Sequence, residues 1–227
     1  MIQTTTFKRS VLWALAIFML SAGTTLHAGL LYTQPFDGTG TAFASQNDTN
    51  TGGSGNFATM YDNFTLASNS NLTGVQFTGE YFGPPGPETI TAWTLTFYND
   101  AAGIPGAPIA SGFFLGNGGE TFLGTFGGLT TNTYELDFGA FPVLAGTYWL
   151  SVVPDLGFPP QWGWSTATGG DGGAYQCFEG TCAPSPGVDM AFNILGDASV
   201  PEPVSMTLVG AGLALLAFGA RRRKTAA

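Results

Sequence analysis

Carboxylates are the only side chains that could carry acid–base chemistry in most of this 227-residue chain. All six Lys and Arg residues and the single histidine, His27, lie outside residues 29–198, whereas 14 of the 15 Asp and Glu residues lie inside that range. The range therefore has no histidine-activated nucleophile, no lysine Schiff base and no arginine clamp on phosphate. A glycosidase needs only one pair of Asp or Glu side chains, so that chemistry stays open, although no spacing marks such a pair.

The charge of the same range decides which partners it can bind. Residues 29–198 have a formal charge of −14. Nucleic-acid binding is excluded, because phosphate contacts need cations. An acidic polysaccharide would also be repelled unless divalent ions bridge it to the protein.

Four aromatic residues could bind a sugar: Trp149, Trp162, Trp164 and Tyr175. Trp162 and Trp164 project from one face of a predicted strand because a single residue separates them, and Trp149 is out of phase with its apolar neighbours. The C–H face of a sugar ring stacks on such side chains. We predict a platform for a neutral glycan. The more common outcome for such a tryptophan pair is that both rings face the core.

Two acidic residues raise the hypothesis of a calcium site. Asp62, beside Asn63, and Asp189, near the last strand, resemble the terminal-strand carboxylates that hold structural calcium in some jelly-roll carbohydrate-binding modules. Calcium takes six to eight oxygen ligands, which carboxylates and backbone carbonyls supply. No Asp-x-Asp-x-Asp-Gly loop occurs, so the prediction is no metal or other cofactor, with calcium as the alternative.

The two cysteines, Cys177 and Cys182, stand in the sequence Cys-Phe-Glu-Gly-Thr-Cys inside a glycine-rich stretch. An even number of cysteines in an exported domain favours a disulfide. The spacing is not Cys-x-x-Cys and no other ligand cluster accompanies it, which makes metal binding or redox use less favoured than a disulfide.

Residues 29–198 have the pattern of a single all-β domain. Apolar and polar residues alternate over 75–82, 93–98 and 134–138, and Gly, Pro, Asn and Asp fill the connections. Six further segments have strand-like sequences: 58–66, 108–115, 120–126, 147–153, 161–165 and 188–195. About nine or ten strands at this spacing predict an antiparallel β-sandwich, jelly-roll-like in type. The polar stretch 40–55 predicts a surface loop.

Residues 1–28 have the three parts of a secretory signal peptide. Lys8 and Arg9 precede an apolar run at 10–20, and small residues follow up to Ala28. The run is too short to span a bilayer comfortably. We predict a signal helix, export by the secretion machinery and cleavage after Ala28; an uncleaved N-terminal anchor is the alternative.

Residues 199–227 combine a rigid tripeptide, an apolar run and a basic block. The tripeptide is Pro201, Glu202 and Pro203, and the residues 204–220 that follow it are uncharged. The four residues after the run are all cations: Arg221, Arg222, Arg223 and Lys224. Seventeen residues make roughly 25 Å of helix at about 1.5 Å each, a marginal transmembrane helix. The cations keep its end cytoplasmic, so the preceding chain lies across the membrane.

The order Pro-Glu-Pro, apolar helix and arginine block resembles the PEP-CTERM sorting signal of exported Gram-negative proteins. The resemblance implies recognition by a membrane-embedded exosortase, removal of the tail and delivery to the cell surface or an exopolysaccharide matrix. We therefore expect a non-enzymatic exported protein of the cell surface, extracellular matrix or biofilm, associated with polysaccharide. Two alternatives stay open: a secreted carbohydrate-active enzyme with an Asp/Glu pair, and a permanently membrane-anchored surface protein.

Overall fold

The computed structural model describes residues 29–198, and this part of the chain consists of strands, turns and loops. Fourteen strands occur there, and they form two seven-stranded sheets. The strands are β1 (Gly29–Gln34), β2 (Ala42–Ala44), β3 (Gln46–Asp48), β4 (Gly55–Leu66), β5 (Ser70–Phe82), β6 (Ala92–Asp100), β7 (Pro105–Leu115), β8 (Thr121–Phe126), β9 (Leu129–Val143), β10 (Gly146–Asp155), β11 (Gln161–Ser165), β12 (Gly173–Phe178), β13 (Thr181–Pro186) and β14 (Phe192–Ala198).

The first sheet is built around β5. On one side β5 pairs with β14 and then, further along, with β11; on its other side it pairs with β9. Strand β1 extends the sheet beyond β14, β2 extends it beyond β11, and β8 extends it beyond β9. All of these pairings are antiparallel. Antiparallel neighbours can be joined by short hairpins or by longer loops, without crossover helices.

The second sheet is built around β4. Strand β12 pairs with one side of β4 and is followed by β13; on the other side β3 and β10 pair with successive parts of β4. Strands β6 and β7 complete the sheet beyond β10. The pairings are antiparallel except for one parallel contact, between Asp155 of β10 and Asn47 of β3.

Aromatic side chains join the inner faces of the two sheets. Trp93 of β6 lies 4.9 Å from Phe77, 4.9 Å from Tyr134 and 5.1 Å from Trp162, measured between ring centroids. These three partners belong to the first sheet, whereas Trp93 belongs to the second. Edge-to-face packing of buried rings adds to the burial of apolar area, so this cluster holds the two sheets together.

The period-two pattern predicted the strands correctly. Eight of the nine predicted segments fall on strands, and the ninth, 188–195, overlaps β14 only from residue 192 onward. Trp93, Leu95 and Phe97 lie together in the core. Glu135 and Asp137 are both exposed, as the alternation over 134–138 requires. Strands β1, β2, β3, β12 and β13 were not predicted.

The surface-loop prediction for residues 40–55 is confirmed for 49–54, which form an exposed turn, and is wrong for 42–48. This stretch contains β2 and β3, and Gln46 is completely buried. Its Nε2 donates to the carbonyl of Leu156 at 2.8 Å, and its Oε1 accepts from the backbone N–H of Trp162 at 2.7 Å. A buried amide with all these partners stabilises a polar segment that its composition assigns to the surface.

The predicted signal peptide, signal helix and transmembrane helix lie outside the described residues. Among residues 29–198, no helix has the length and apolarity needed to cross a membrane.

Candidate functional site

The outer face of the second sheet carries a row of hydroxyl groups across five strands. Tyr175, Tyr61, Ser151, Thr96 and Ser111 are consecutive register partners on β12, β4, β10, β6 and β7. The row faces outward because side chains alternate along each strand, and the neighbouring positions point inward: apolar core residues on β10 and β6, and Met60 with the buried Asp62 on β4. The result is a row of hydroxyls on the outer side of this sheet, in which Ser151 and Thr96 are themselves buried by their neighbours.

Three tyrosines cluster on this face. The rings of Tyr61 and Tyr98 have centroids 5.4 Å apart at 65°, and those of Tyr61 and Tyr175 lie 6.2 Å apart at 70°. The hydroxyls of Tyr98 and Ser151 are hydrogen-bonded at 3.1 Å. Burial and, after it, the neighbouring Tyr98 raise the pKa of Tyr61, so its phenol stays neutral. All three tyrosines are half-buried, so part of each side chain is accessible to a ligand.

A groove of about 200 Å³ lies against Tyr61 and Tyr98. We call it the tyrosine groove, and its lining is Asn47, Asn56, Thr59, Tyr61, Thr94, Thr96, Tyr98, Ser151 and Val153. No Asp or Glu lines it among these residues, and amides and hydroxyls supply all of its side-chain hydrogen-bonding groups. Such a surface complements a neutral ligand that has many hydroxyl groups.

An exposed aromatic ring extends this face toward the edge of the sheet. Phe113 of β7 is the register partner of Thr94, which lines the groove, and it is 60% exposed. A phenyl ring that exposed buries little of its surface in the fold and offers a flat apolar surface to a ligand.

The predicted platform of four aromatic residues is not formed. Trp162 and Trp164 are completely buried in the core, which is the alternative stated for them. Trp149 does face away from the core side of β10, as its phase predicted, but it is only 1% exposed and its Nε1 donates to Asp100 Oδ1 at 2.8 Å. Tyr175 alone of the four lies half-exposed on the tyrosine face.

Tyr61 and Tyr98 were missed, although the sequence carried a signal for Tyr98. The apolar residues Trp93, Leu95 and Phe97 occupy odd positions, so period two places Tyr98 on the opposite face. Nothing local predicted that Tyr61, in β4, would lie against it, because β10 separates the two strands.

Asp62 lies at a buried junction between the sheets. Its carboxylate accepts from the backbone N–H groups of Met190, at 2.6 Å, and Asn63, at 2.8 Å. With its amide oriented by the surrounding hydrogen bonds, Gln34 donates to Asp62 Oδ2 and to the Met190 carbonyl, both at 2.8 Å, and accepts from Tyr32 at 3.0 Å. Every member of this junction therefore has a protein partner.

Burial raises the pKa of Asp62 well above its ordinary value, and the negative charges of Asp189 and Asp171 raise it further against the opposing backbone hydrogen bonds. Burial and the charge of Asp62 also raise the pKa of Tyr32 to about 12. Asp189 accepts from the backbone N–H of Gly172 at 2.7 Å. Within residues 29–198, no group of three or more His, Cys, Asp or Glu side chains is placed to hold a metal ion, so the calcium hypothesis gains no support.

Cys177 and Cys182 form a disulfide, as the sequence predicts. They are register partners on β12 and β13, next to the turn of this hairpin. The bridge therefore fastens the β12–β13 hairpin at one edge of the second sheet, and Tyr175 lies on the same hairpin.

The predicted sorting residues, from Pro201 to Pro203 and from Arg221 to Lys224, lie outside the described residues. No curated protein matches the chain. Residues 199–224 match the family model described as the PEP-CTERM protein-sorting motif. The chain thus ends in a PEP-CTERM motif, which implies export and exosortase-type sorting.

Proposed function

We propose that this chain is an exported, non-enzymatic protein that an exosortase processes and that binds neutral polysaccharide at the cell surface or in the extracellular matrix. We infer further that its two sheets form a β-sandwich of jelly-roll type. Support for sorting comes from the PEP-CTERM motif at residues 199–224. Its partners before processing are the secretion machinery, the membrane and the exosortase.

The observation that carries the binding proposal is the uncharged tyrosine groove. Tyr61 and Tyr98 offer ring surface for the C–H face of a sugar. The hydroxyls of Ser151 and Thr96 are buried and paired with Tyr98 and Ser111. The accessible polar groups are therefore those of the exposed Asn56 and the partly exposed Asn47 and Thr94. A domain with 14 carboxylates and no cation repels acidic polysaccharide, which makes a neutral polymer the better partner.

Binding is favoured over hydrolysis by the same lining. A glycosidase places two carboxyl groups about 5 to 10 Å apart across the scissile bond. The residues that line the tyrosine groove include no Asp or Glu. A secreted carbohydrate-active enzyme stays the alternative function, and release of reducing sugar from a neutral polysaccharide by the purified protein would favour it.

Electrophoresis through gels that contain neutral polysaccharide tests the groove. We expect Tyr98→Ala to lower the affinity roughly 5- to 30-fold, because about 1 to 2 kcal/mol of ring contact is lost. Tyr98→Phe keeps the ring and loses only the contact with Ser151, so its affinity stays within about threefold of wild type.

Phe178→Ala is the matched control. Phe178 is also an exposed aromatic residue, at 40%, but it lies on the disulfide hairpin and does not line the groove. If all four proteins migrate alike in gels with and without glucan, galactan or mannan, the groove does not bind neutral polysaccharide.

Mass spectrometry of the C-terminus tests processing. Protein recovered from the cell surface is expected to lack residues 204–227, whereas replacement of Pro201, Glu202 and Pro203 by alanine leaves the tail attached. An intact tail on wild-type surface protein would favour the permanently anchored alternative. Full-length protein in the cytosol with both termini intact would contradict export.

A further inference from the structure

A second polar cleft lies on the outer face of the first sheet. We call it the amide cleft; it has a volume of about 320 Å³, within the range of about 300 to 1,000 Å³ that small-molecule pockets occupy. Side chains of Gln76, Thr78, Thr133, Glu135 and Asn193 line its floor. The cleft is separate from the tyrosine groove, since the two share no lining residue.

A hydrogen-bonded ladder runs along the floor of the amide cleft. Asn193, Gln76 and Glu135 are register partners on β14, β5 and β9, and Thr33 of β1 continues the row. Thr33 Oγ1 donates to Asn193 Oδ1 at 2.7 Å, Asn193 Nδ2 donates to Gln76 Oε1 at 3.2 Å, and Gln76 Nε2 donates to Glu135 Oε2 at 2.9 Å. This chain fixes the orientation of both amides.

The ladder leaves hydrogen-bonding capacity unused. A side-chain amide has two N–H donors and an oxygen with two acceptor positions, and each amide of the ladder uses one N–H and one acceptor position in the row. A second row of hydroxyls follows, because Thr78, Thr133 and Thr121 are register partners on β5, β9 and β8. The floor therefore presents oriented donors and acceptors side by side, which matches the vicinal hydroxyls of a sugar.

The walls of the cleft and its charge narrow the ligand class. Phe36 forms one wall, and its ring packs edge-on against Phe126 with centroids 5.1 Å apart. Glu135 is the one acidic residue among those that line the cleft, and none of them is a cation. A single carboxylate is too few for a bound divalent ion, and an anionic ligand would be repelled, so a neutral polyol fits best.

We propose that the amide cleft is a second binding site for neutral sugar, so that one molecule cross-links two polysaccharide chains. The inner faces of the two sheets contact each other, so the amide cleft and the tyrosine groove open in opposite directions. One polymer chain on each face makes the protein a bivalent link, and attachment at a second point raises the effective affinity within a matrix. This inference rests on the proposed function, because the tyrosine groove supplies the other site.

Titration calorimetry of the full chain in detergent tests the number of sites, with neutral gluco-, galacto- and manno-tetrasaccharides as probes. We expect two sites per wild-type chain, one for Gln76→Ala, one for Tyr98→Ala and none for the double variant. Thr121→Val is a milder change that removes one hydroxyl of the amide cleft, and we expect it to weaken sugar binding there several-fold. Its control is Thr65→Val, because the Thr65 hydroxyl contacts Thr147 and lines neither site.

Viscosity of the matching neutral polysaccharide tests cross-linking. Wild-type protein is expected to raise it, and either single-site variant is expected to leave it at the value of the polymer alone. One site that only Tyr98→Ala removes would overturn this inference and leave the proposed function intact. One site that only Gln76→Ala removes would overturn the tyrosine groove and cross-linking together, and no site on any probe would overturn both proposals.

Discussion

Asp62→Ala tests whether the buried junction stabilises the domain. The carboxylate is completely buried and accepts from Met190 N–H and from Gln34 Nε2, and removing it leaves both donors without that partner. An unsatisfied buried donor costs about 1 to 3 kcal/mol, so we expect a loss of about 3 kcal/mol or more at about pH 4. For a domain of this size that loss lowers the melting temperature by about 6 to 12 °C. Because burial raises the pKa of Asp62, its contribution to stability falls as the pH rises, and the loss is smaller at neutral pH.

Thermal unfolding of the full chain in detergent at about pH 4, followed by near-ultraviolet circular dichroism, measures the change. Asp62→Asn is the matched control, because its carbonyl oxygen can still accept from Met190; we expect it to lose less than about 4 °C. An Asp62→Ala protein that melts within about 2 °C of wild type would refute the reasoning. So would an Asn variant as unstable as the Ala variant.

Three further predictions concern stability. Glu80 is completely buried, and one of its oxygens accepts from Thr131 at 3.1 Å. Burial raises the pKa of Glu80. Its contribution to the free energy of unfolding is therefore fully present below the unfolded pKa of about 4.3 and is lost as the pH rises through the folded pKa. The melting temperature therefore rises from pH 8 to pH 5, and Glu80→Gln flattens that slope; an unchanged slope would contradict it. Replacing Cys177 and Cys182 by serine is expected to cost about 2 kcal/mol in urea unfolding, because the bridge closes a short ring. Trp162→Ala is expected to lower the free energy of unfolding by about 3 to 5 kcal/mol and to leave the glycan affinity per folded molecule unchanged. A loss of affinity in the folded variant would instead show that Trp162 takes part in binding.

The all-β architecture could be predicted because strand patterns are local. Trp93, Leu95 and Phe97 alternate with polar residues, which predicts a strand with one apolar face, and all three lie in the core. Strands β2 and β3 could not be predicted, because their buried polar residues form hydrogen bonds with residues far away in the sequence. Gln46, for example, is satisfied by Leu156 and Trp162, more than 100 positions away.

The candidate sites were predicted less well, because each one depends on pairing between distant segments. Tyr61 and Tyr98 come together only through β10, and the ladder of the amide cleft needs β14, β5 and β9 in register. Trp162 and Trp164, which the sequence analysis predicted as part of a glycan platform, are large apolar side chains and fill the core instead. The disulfide was predictable because its two partners are close in sequence.

Co-sedimentation of the surface-recovered protein with the neutral fraction of the producing cells' own exopolysaccharide tests the central claim most directly. Because the tyrosine groove is uncharged, we predict that the bound fraction changes less than about twofold between low and high salt, where the Debye length falls from roughly 10 Å at 0.1 M to about 3 Å at 1 M. We also predict that a triple variant, Tyr61→Ala, Tyr98→Ala and Gln76→Ala, stays in the supernatant, because these changes disable both sites. Binding that disappears at high salt, or that survives all three substitutions in a folded protein, would contradict it.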